Sequence, residues 1–213
     1  MLVRDVMTEN VVTISSDMSI ADAKRIMQAH KFQRLPVVDK GKVQGIVTEH
    51  RLETVAPSKA TTLSVWEMSY LLEKTPVKKV MEKDVVTVSP EMTVEEAIAM
   101  AQRHKVGSLL VIEDGRLAGI ATTNDFFYKI ANKVLGIGDP GTRVFVRNGG
   151  EAPALEQILH AINSRNLRMK TMHVIAPPGK EKNDVVLHLD TEDAQDLMKE
   201  LQDKGYEVKV RKR

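Results

Sequence analysis

The sequence contains no cysteine, which excludes disulfides, thiolate chemistry and cysteine-ligated metal sites. Aromatic residues make up only 4% of the chain, too few to suggest a stacking platform for single-stranded nucleic acid. The net charge of +2 argues against nucleic-acid binding by overall charge, and the basic C-terminal end is interpreted as a solvated strand edge. No apolar run reaches the roughly 18 residues of a membrane span, and no signal-peptide block is visible. We therefore expect a cytoplasmic protein without nucleic-acid or membrane partners.

Motifs of the common enzyme classes are also absent. There is no GxxxxGK(S/T) phosphate loop, no HExxH metal motif and no GxSxG nucleophile motif. The histidines are scattered; His173 and His188 can lie on adjacent strands, but two histidines without a third ligand are weak support for a metal site. The sequence therefore predicts a protein that is not an enzyme, with no catalytic residues, no metal ligands and no obligatory cofactor.

What the sequence does contain is a gapless internal repeat. Residues 3–52 align with residues 77–126 at a constant offset of 74, and eighteen of the fifty pairs are identical. Other pairs are conservative, such as Ile14 with Val88 and Asp17 with Glu91. A tandem pair of one unit usually forms a pseudo-two-fold body that binds small molecules in the cleft between its halves. Differences between the copies should therefore indicate which half-site is functional.

Each copy of the repeat is interpreted as strand, helix, strand, strand and helix. The β-branched segments VVTIS and VVTVS predict short strands. Ser19 is predicted to cap the first helix of one copy, and Thr93 with Glu96 forms a capping box in the other. Two apolar strands then flank a KG turn or a DG turn, and DG is a strong hairpin signal. A short helix is predicted after the second strand of this pair.

Between the copies lies the segment PSKATTLSVWEMSYLLEKTP, at residues 57–76. Val65, Met68 and Leu72 have helical spacing and lie close to the only tryptophan, Trp66. We expect a connector helix that packs on the pair or on a second subunit.

After a glycine-rich break at residues 136–141, the pattern changes. Strand-like and helix-like segments follow in the order βαββαβ, the ferredoxin-like arrangement. Thr191 is predicted to cap the second helix of this region, and Gly205 to end it. Because about 70 residues make a small domain, we expect it to dock on the repeat pair or on its own copy.

The motifs VMT…VVTIS, HKFQRLPVVD…GIVT and GIATTND resemble those of a CBS-domain pair, the module named after cystathionine β-synthase. The C-terminal region resembles an ACT domain, mainly in its element order, and the whole layout is similar to CBS–ACT proteins of the acetoin-utilisation-like type. The resemblance implies an α/β (α+β) fold with these segments: residues 1–56 as the first CBS repeat, 57–76 as a helical connector, 77–136 as the second CBS repeat, 137–142 as a linker and 143–213 as the ACT-like domain.

The resemblance also implies an adenosyl ligand, such as AMP, ADP, ATP or S-adenosylmethionine. A carboxylate can accept hydrogen bonds from both vicinal hydroxyls of a ribose. GIATTND supplies such a carboxylate at Asp125, with Thr122 three residues before it on the same side of a helix start. The alternative for both residues is simple helix capping.

By the family pattern, the ribose carboxylate of one repeat works with the early strand of the other. This implies that Thr8, Val12 and Phe32 contact the adenine and that His104 and Lys105 contact the phosphates. Each also has an ordinary alternative, since Phe32 can be a core residue, Lys105 a surface lysine, and His104 a partner of helix-end carbonyls.

The first repeat departs from this pattern, because the position of the ribose carboxylate holds Arg51. A guanidinium only donates hydrogen bonds and cannot accept them from ribose hydroxyls. The half-site with Thr48, His30, Lys31 and Val86 is therefore not expected to bind ribose in the family manner. Arg51 can instead reach a phosphate or pair with an acid. The sequence thus predicts one competent adenosyl site per chain.

Two functions remain open on the sequence. The first is a regulatory sensor, a homodimer through its CBS pair, that controls a separately encoded enzyme or transporter. The second is a constitutive dimerising protein with a vestigial cleft. The ACT-like region lacks the Asp-Arg-Pro-Gly-type turn of amino-acid-binding members and has Arg147-Asn148-Gly149-Gly150 in its place. A structural role for this region is therefore favoured over ligand binding.

Overall fold

The computed structural model of the protein describes residues 1–55 and 64–212. Residues 57–63 of the predicted connector lie outside the described residues. By its internal contacts the chain divides into two compact units, Met1–Lys129 and Ile130–Arg213. This division precedes the glycine-rich stretch at which the sequence predicts the boundary, so that stretch belongs to the second unit.

Helices and strands alternate along both units. Within residues 1–55 and 64–212, two short 3-10 helices (Val3–Asp5 and Val77–Lys79) and a π-helical turn (Phe126–Ile130) accompany the following α-helices: α1 (Ile20–His30), α2 (Glu49–Val55), α3 (Val65–Lys74), α4 (Val94–His104), α5 (Thr123–Asp125), α6 (Ala131–Leu135), α7 (Ala152–Ser164) and α8 (Gln195–Asp203). The strands are β1 (Arg34–Asp39), β2 (Lys42–Thr48), β3 (Thr87–Val88), β4 (Ser108–Glu113), β5 (Arg116–Thr122), β6 (Thr142–Val146), β7 (Met169–Ile175), β8 (Asp184–Leu189) and β9 (Val208–Lys212).

The two repeats of the first unit fold alike. The β1–β2 and β4–β5 hairpins are antiparallel and share the same register, with a β-bulge at the same point in each. α1 and α4 have equal lengths, and each ends at a lysine in the left-handed conformation, Lys31 (φ 56°) or Lys105 (φ 53°). The constant offset in sequence is therefore also an equivalence in structure.

Local hydrogen bonds explain where these helices begin. The Ser19 hydroxyl accepts from the amide of Asp22 at 3.0 Å, which satisfies one free donor at the start of α1. Thr93 and Glu96 exchange hydrogen bonds as a capping box at the start of α4. Both predicted caps are confirmed.

The N-terminal segment of each repeat lies against the other repeat. Thr8 forms a β-bridge with Ile120, and the pseudo-equivalent Glu82 forms the matching bridge with Ile46. Mainly aliphatic side chains fill a core in each repeat, and Ile46, Leu110 and Ile120 form a third cluster. Because the segments cross over, any cleft beside them is built from both halves.

The connector helix α3 is present and begins at a capping box formed by Ser64 and Glu67. Leu72 packs against the core of the first repeat. The outer side of α3 is apolar but exposed, with Trp66 86% and Tyr70 61% accessible. The connector helix was predicted to pack on the repeat pair or on a second subunit. The Leu72 contact agrees with the first of these alternatives.

The second unit has the element order βαββαβ and an antiparallel sheet in the order β7-β8-β6-β9. Alternate residues of β6 and β8, such as Val144 and Leu187, share a core with Ile158 of α7 and Leu201 of α8. The segment after α6 packs in the same unit, since Lys170 donates to the Pro140 carbonyl at 2.7 Å. A ferredoxin-like arrangement thus follows the repeat pair.

The strand prediction for VVTVS is confirmed in shortened form, as the two-residue β3. Two other local predictions were wrong. VVTIS forms only a single bridge, between Ile14 and Val37. Thr191 does not cap α8, whose N-cap is Ala194. The Thr191 hydroxyl instead accepts from the amide of Asp193 at 3.2 Å, and this local turn delays the start of the helix.

Candidate functional site

A cavity of about 440 Å³ lies in the first unit and is lined by both repeats. The first repeat contributes its N-terminal segment and the turn from α1 into β1, and the second contributes the end of β5 and α5. We call it the inter-repeat cavity. Five of the seven residues predicted to bind a ligand line it: Thr8, Val12, Phe32, Thr122 and Asp125.

The two residues predicted to contact phosphates do not join this group. His104 ends α4, and Lys105 is its C-terminal cap, and neither lines the inter-repeat cavity. Their pseudo-equivalents His30 and Lys31 lie on the turn after α1, and Lys31 does line the cavity. The Thr8–Ile120 bridge brings this turn, rather than its twin, towards α5. Lys31, assigned from sequence to the other half-site, is therefore found in this one.

Asp125 is the centre of the hydrogen-bond network in the inter-repeat cavity. Its Oδ2 accepts from the hydroxyl of Thr122 at 2.6 Å and from the amide of Thr122 at 2.9 Å. Its Oδ1 accepts from the hydroxyl of Thr8 at 3.2 Å. Helix capping, the alternative role for Asp125, is therefore present. It uses only Oδ2, and Oδ1 faces the first repeat.

Lys129 completes this network from the π-helical turn. Its ammonium lies 2.9 Å from Asp125 Oδ1 and donates to the carbonyl oxygens of Val6 and Met7 at 2.7 and 3.2 Å. The Asp125 side chain is only 12% exposed. One lysine thus links the carboxylate of the second repeat to the backbone of the first.

The surroundings of Asp125 keep it ionised. Burial alone would raise the pKa of this carboxyl, because it disfavours the charged form. Hydrogen bonds from Thr122 and from Lys129, together with the positive charge of Lys129, outweigh the burial and lower the pKa below its ordinary value of 3.8. At neutral pH the group is therefore a hydrogen-bond acceptor only.

Apolar side chains form another part of the lining. Val12 and Phe32 are both more than one third exposed, although they are apolar. The Phe32 ring stacks on the imidazole of His30 with the ring centres 5.3 Å apart, which holds its plane. A flat aromatic group that entered the cavity would cover these surfaces.

Close backbone approach explains the glycine in the GIAT motif. A Cβ on Gly119 would lie 2.9 Å from the carbonyl oxygen of Thr8 and 2.7 Å from the Met7 sulfur. Gly45, the equivalent residue of the first repeat, faces the Glu82 carbonyl oxygen in the same way. Glycine at this point allows Thr8 to reach the cavity.

Arg51 of the first repeat has a structural partner in the second repeat. Its Nε donates to the carbonyl oxygen of Val80 at 3.2 Å. Val80 is the pseudo-equivalent of Val6, which accepts from Lys129 in the second repeat. Arg51 thus makes the backbone contact that Lys129 makes, without supplying a carboxylate. Neither the phosphate contact nor the acid pair considered from the sequence is needed to explain this contact.

Sequence reasoning missed two residues of the site. Lys129 lies four residues after Asp125, the spacing at which opposite charges meet on a helix, so its pairing was readable from the sequence. Arg34 lines the cavity at the start of β1, within the HKFQRLPVV motif. Nothing local in the sequence marks Arg34, whose guanidinium lies against Gly107 of the other repeat.

Within the described ranges, no helix combines the length and the apolar character that a membrane crossing requires. Among the same residues, no group of three or more His, Asp or Glu side chains is placed to hold a metal ion.

Known proteins are similar to the first unit. Residues 3–55 and 77–132 match the family model of the CBS domain, together more than half of the chain. An inosine-5'-monophosphate dehydrogenase of Korarchaeum cryptofilum is 36% identical over 121 residues, which are 56% of this chain but 22% of that protein. The CBS domain-containing protein YhcV of Bacillus subtilis is 29% identical over 125 residues, 58% of this chain and 81% of that protein. The chain thus spans about a fifth of the dehydrogenase.

Solved structures are similar over the same region. A putative acetoin utilization protein (AcuB) of Vibrio cholerae has a TM-score of 0.52 and 32% identity, covering 62% of this chain and 91% of that one. The CBS-domain pair of protein MJ0100, in complex with 5'-methylthioadenosine and S-adenosylmethionine, has a TM-score of 0.51 and 24% identity, covering 62% and 98%. The second likeness shows the shared fold only. By the family model and the repeated fold together, the chain belongs to the CBS-domain family.

Proposed function

We propose that the inter-repeat cavity binds an adenosyl ligand and that this binding controls a partner protein. CBS-pair proteins are regulatory, ligand-binding modules, and the enzymes among the relatives contain the matched region as a small part of their length. The observation that carries the proposal is the ionised carboxylate of Asp125, which accepts hydrogen bonds from hydroxyl groups of both repeats within one cavity.

The ribose is proposed to bind at Asp125. Oδ2 already accepts two hydrogen bonds from Thr122, at 2.6 and 2.9 Å. Oδ1 accepts a longer hydrogen bond, at 3.2 Å, from the hydroxyl of Thr8. A ribose hydroxyl that donates to Oδ1 would take the place of the Thr8 hydroxyl at little cost. The adenine would then cover Val12 and Phe32, which are apolar and partly exposed.

The same contacts suggest how binding is transmitted. Thr8 and Lys129 both connect the N-terminal segment of the first repeat to Asp125 of the second. A ligand that binds one arrangement of this joint more tightly than another shifts the population between them. We propose that the output reaches a separately encoded enzyme or transporter through a cytoplasmic homodimer.

Thermal unfolding of the full chain tests the proposal. The ligands are AMP, ADP, ATP, S-adenosylmethionine and 5'-methylthioadenosine, and the variants are wild type and Asp125→Asn. A ligand at about 100 times its Kd stabilises by about 2.7 kcal/mol, or roughly 5–10 °C for a chain of this size. We expect one of these compounds to give such a shift in the wild type and not in Asp125→Asn.

A matched control separates the site from the substitution. Asp114 lies in the left-handed region of the β4–β5 turn (φ 49°), where asparagine is equally suitable. Asp114→Asn should keep the full ligand shift. No shift with any of the five compounds would refute adenosyl binding.

The second candidate function, a constitutive dimerising protein, is favoured by one observation. Trp66, Tyr70 and Leu71 form an exposed apolar side of α3. If this side is a permanent interface, the mass in solution should be that of an oligomer without ligand, and Trp66→Ala should reduce it. If the oligomer is insensitive to Trp66→Ala, this candidate fails.

For the second unit we propose an ACT-like domain with a structural role. The βαββαβ order and its antiparallel sheet support the ACT-like identity. The structural role is supported by the packing of the turn after β6, because a Cβ on Gly150 would lie 2.4 Å from that of Asn183. The space beside Gly150 is thus occupied by Asn183 of the same unit and is closed to a ligand. An amino-acid panel in the same thermal assay should give no shift.

A further inference from the structure

We infer that the two units are joined by a hinge in the π-helical turn, where Lys129 ends the first unit and Ile130 begins the second. The glycine-rich segment 136–141, in contrast, is a fixed part of the second unit. The position of the hinge does not depend on any ligand. That ligand binding moves the hinge rests on the proposed function, because Asp125 and Lys129 belong to the proposed site.

The C-terminal end of α6 is held by side chains from the sheet of the second unit. The last carbonyl groups of a helix lack partners within that helix. Nε2 of His173 on β7 lies 2.8 Å from the carbonyl oxygen of Val134, and because a carbonyl only accepts, the imidazole donates. The guanidinium of Arg143 on β6 donates to the next carbonyl, that of Leu135. Cationic and imidazole donors at this end of a helix are also favoured by the helix dipole.

The glycine-rich segment is held by the same sheet. The carbonyl oxygen of Pro140 accepts from Lys170 Nζ at 2.7 Å and lies 3.2 Å from Nε2 of His188. His188 is almost fully buried on β8. Donors from three neighbouring strands, β7, β8 and β6, therefore hold the chain at the end of α6 and again at Pro140. We call this set of contacts the sheet clamp.

Two glycines of this segment have structural reasons other than flexibility. Gly136 ends α6 in the left-handed conformation (φ 59°), and its amide donates to the carbonyl of Asn132. A Cβ on Gly141 would clash with the carbonyl oxygen of Leu189, so glycine lets the chain pass directly against β8. The composition that predicts a linker from the sequence therefore serves a helix end and close packing.

The π-helical turn has the opposite character. None of the residues of α5, of this turn or of α6 is buried, and Phe127 and Tyr128 are 63% and 58% exposed. Phe126, at the start of the turn, still packs against the core of the second repeat. Helices bend preferentially at π-helical turns, and segments with few buried apolar contacts open at low free energy. The turn is thus the weaker of the two joints.

Lys129 connects the hinge to the proposed ligand site. Its ammonium contacts Asp125 Oδ1 at 2.9 Å and the carbonyl oxygens of Val6 and Met7. A ribose hydroxyl that donates to Oδ1 alters this contact one residue before the hinge. Ligand binding thereby shifts the population of hinge conformations, and the second unit moves together with α6.

Pulsed electron–electron double resonance on the full chain locates the hinge. The sequence contains no cysteine, so introduced cysteines carry the only spin labels. Three exposed positions are suitable: Ala99 on α4, Lys133 on α6 and Gln202 on α8. Without ligand, the α6–α8 pair (Lys133→Cys/Gln202→Cys) should give a narrow distance distribution. The α4–α6 pair (Ala99→Cys/Lys133→Cys) should give one at least about two-fold broader. Equal widths, or the reverse order, would overturn the inference.

A double variant tests the sheet clamp. Lys170→Met/His173→Ala removes the donors to Pro140 and Val134. We expect the distance distribution of the α6–α8 pair to broaden to about the width found for the α4–α6 pair. If the distribution stays narrow in this variant, the sheet clamp does not fix the segment, and this part of the inference is refuted.

A matched control uses the same two residue types elsewhere in the second unit. His160 on α7 and Lys182 before β8 are exposed. His160→Ala/Lys182→Met should leave the distance distribution of the α6–α8 pair unchanged. A broadening as large as that in Lys170→Met/His173→Ala would contradict the sheet clamp.

The ligand measurement separates the hinge from the proposed function. AMP, ATP and S-adenosylmethionine are the probes, and their binding is measured by calorimetry on the same labelled chains. A probe that binds should shift the mean distance of the α4–α6 pair and leave that of the α6–α8 pair unchanged. If a probe binds without this shift, movement of the hinge by ligand is refuted. If none binds, the proposed function fails for these compounds, and the widths without ligand still decide where the hinge lies.

Discussion

Lys129 is expected to hold the two repeats together in the absence of ligand. Its ammonium contacts Asp125 Oδ1 at 2.9 Å, the Val6 carbonyl oxygen at 2.7 Å and the Met7 carbonyl oxygen at 3.2 Å. The substitution Lys129→Met removes all three contacts and keeps most of the apolar stem. It also leaves the buried carboxylate without its counter-charge.

The magnitude follows from these contacts and from the exposure of the ammonium. A hydrogen bond to a charged group contributes about 1.5–3 kcal/mol, but the Lys129 side chain is 43% exposed, so water screens and partly replaces the contacts. We expect a net loss of about 1–2 kcal/mol in the free energy of unfolding. At roughly 2–4 °C per kcal/mol, the Tm of the first unit should fall by about 2–8 °C.

Differential scanning calorimetry of the full chain measures this effect. Lys83→Met is a suitable control, because Lys83 is exposed in the same unit, and the change should remain within about 0.5 kcal/mol. If Lys129→Met has the same Tm as the Lys83→Met variant, Lys129 does not hold the repeats together, and the proposal that binding is transmitted through Lys129 is wrong.

Three further predictions concern the same region. Arg51→Met should lower the free energy of unfolding by about 1 kcal/mol, through loss of the hydrogen bond to Val80, and leave adenosyl affinity unchanged in calorimetry. Gly119→Ala should destabilise by about 1–3 kcal/mol, because its Cβ would press on the Thr8 carbonyl, and should weaken ligand binding in the same titration. Asp125 has a lowered pKa when folded, so its contribution to stability is present above its ordinary pKa of 3.8 and is lost as pH falls through the folded value. Between the ordinary pKa of 3.8 and the lowered folded pKa, denaturant unfolding of Asp125→Asn should therefore depend less on pH than that of wild type does.

Much of the fold could be predicted because local and repeated patterns in the sequence determine it. The offset of 74 identified two copies, and the Ser19 and Thr93 caps marked the helix starts. The βαββαβ order of the second unit followed from short periodic segments with turn residues between them. These signals need no knowledge of distant contacts.

The rest depends on how the two repeats cross over. No local pattern in the sequence shows that Thr8 of the first repeat pairs with Ile120 in the β4–β5 hairpin of the second repeat, and this pairing decides which helix end lines the cavity. Lys105 was therefore assigned to a cavity that Lys31 lines. The segments VVTIS and VVTVS form less strand than predicted, because each pairs with its own repeat at only one or two positions: Ile14 with Val37, and Thr87–Val88 with Leu110 and Val111.

Arg51 shows how a difference between the copies can be interpreted only in part. The sequence shows an arginine at the position equivalent to Asp125, and a guanidinium cannot accept hydrogen bonds. Its actual contact, a backbone carbonyl equivalent to the one that Lys129 binds, depends on the pseudo-symmetry of the fold. The absence of a carboxylate and the retention of the backbone link are thus combined in one residue.

The number of AMP molecules bound per chain tests the central claim most directly. Equilibrium dialysis with labelled AMP should give one bound molecule per chain for wild type, because Asp125 is a carboxylate and its equivalent, Arg51, is not. The same measurement on Asp125→Asn should give no specific binding. Two molecules per chain, or one molecule retained by Asp125→Asn, would contradict the assignment of the site to Asp125.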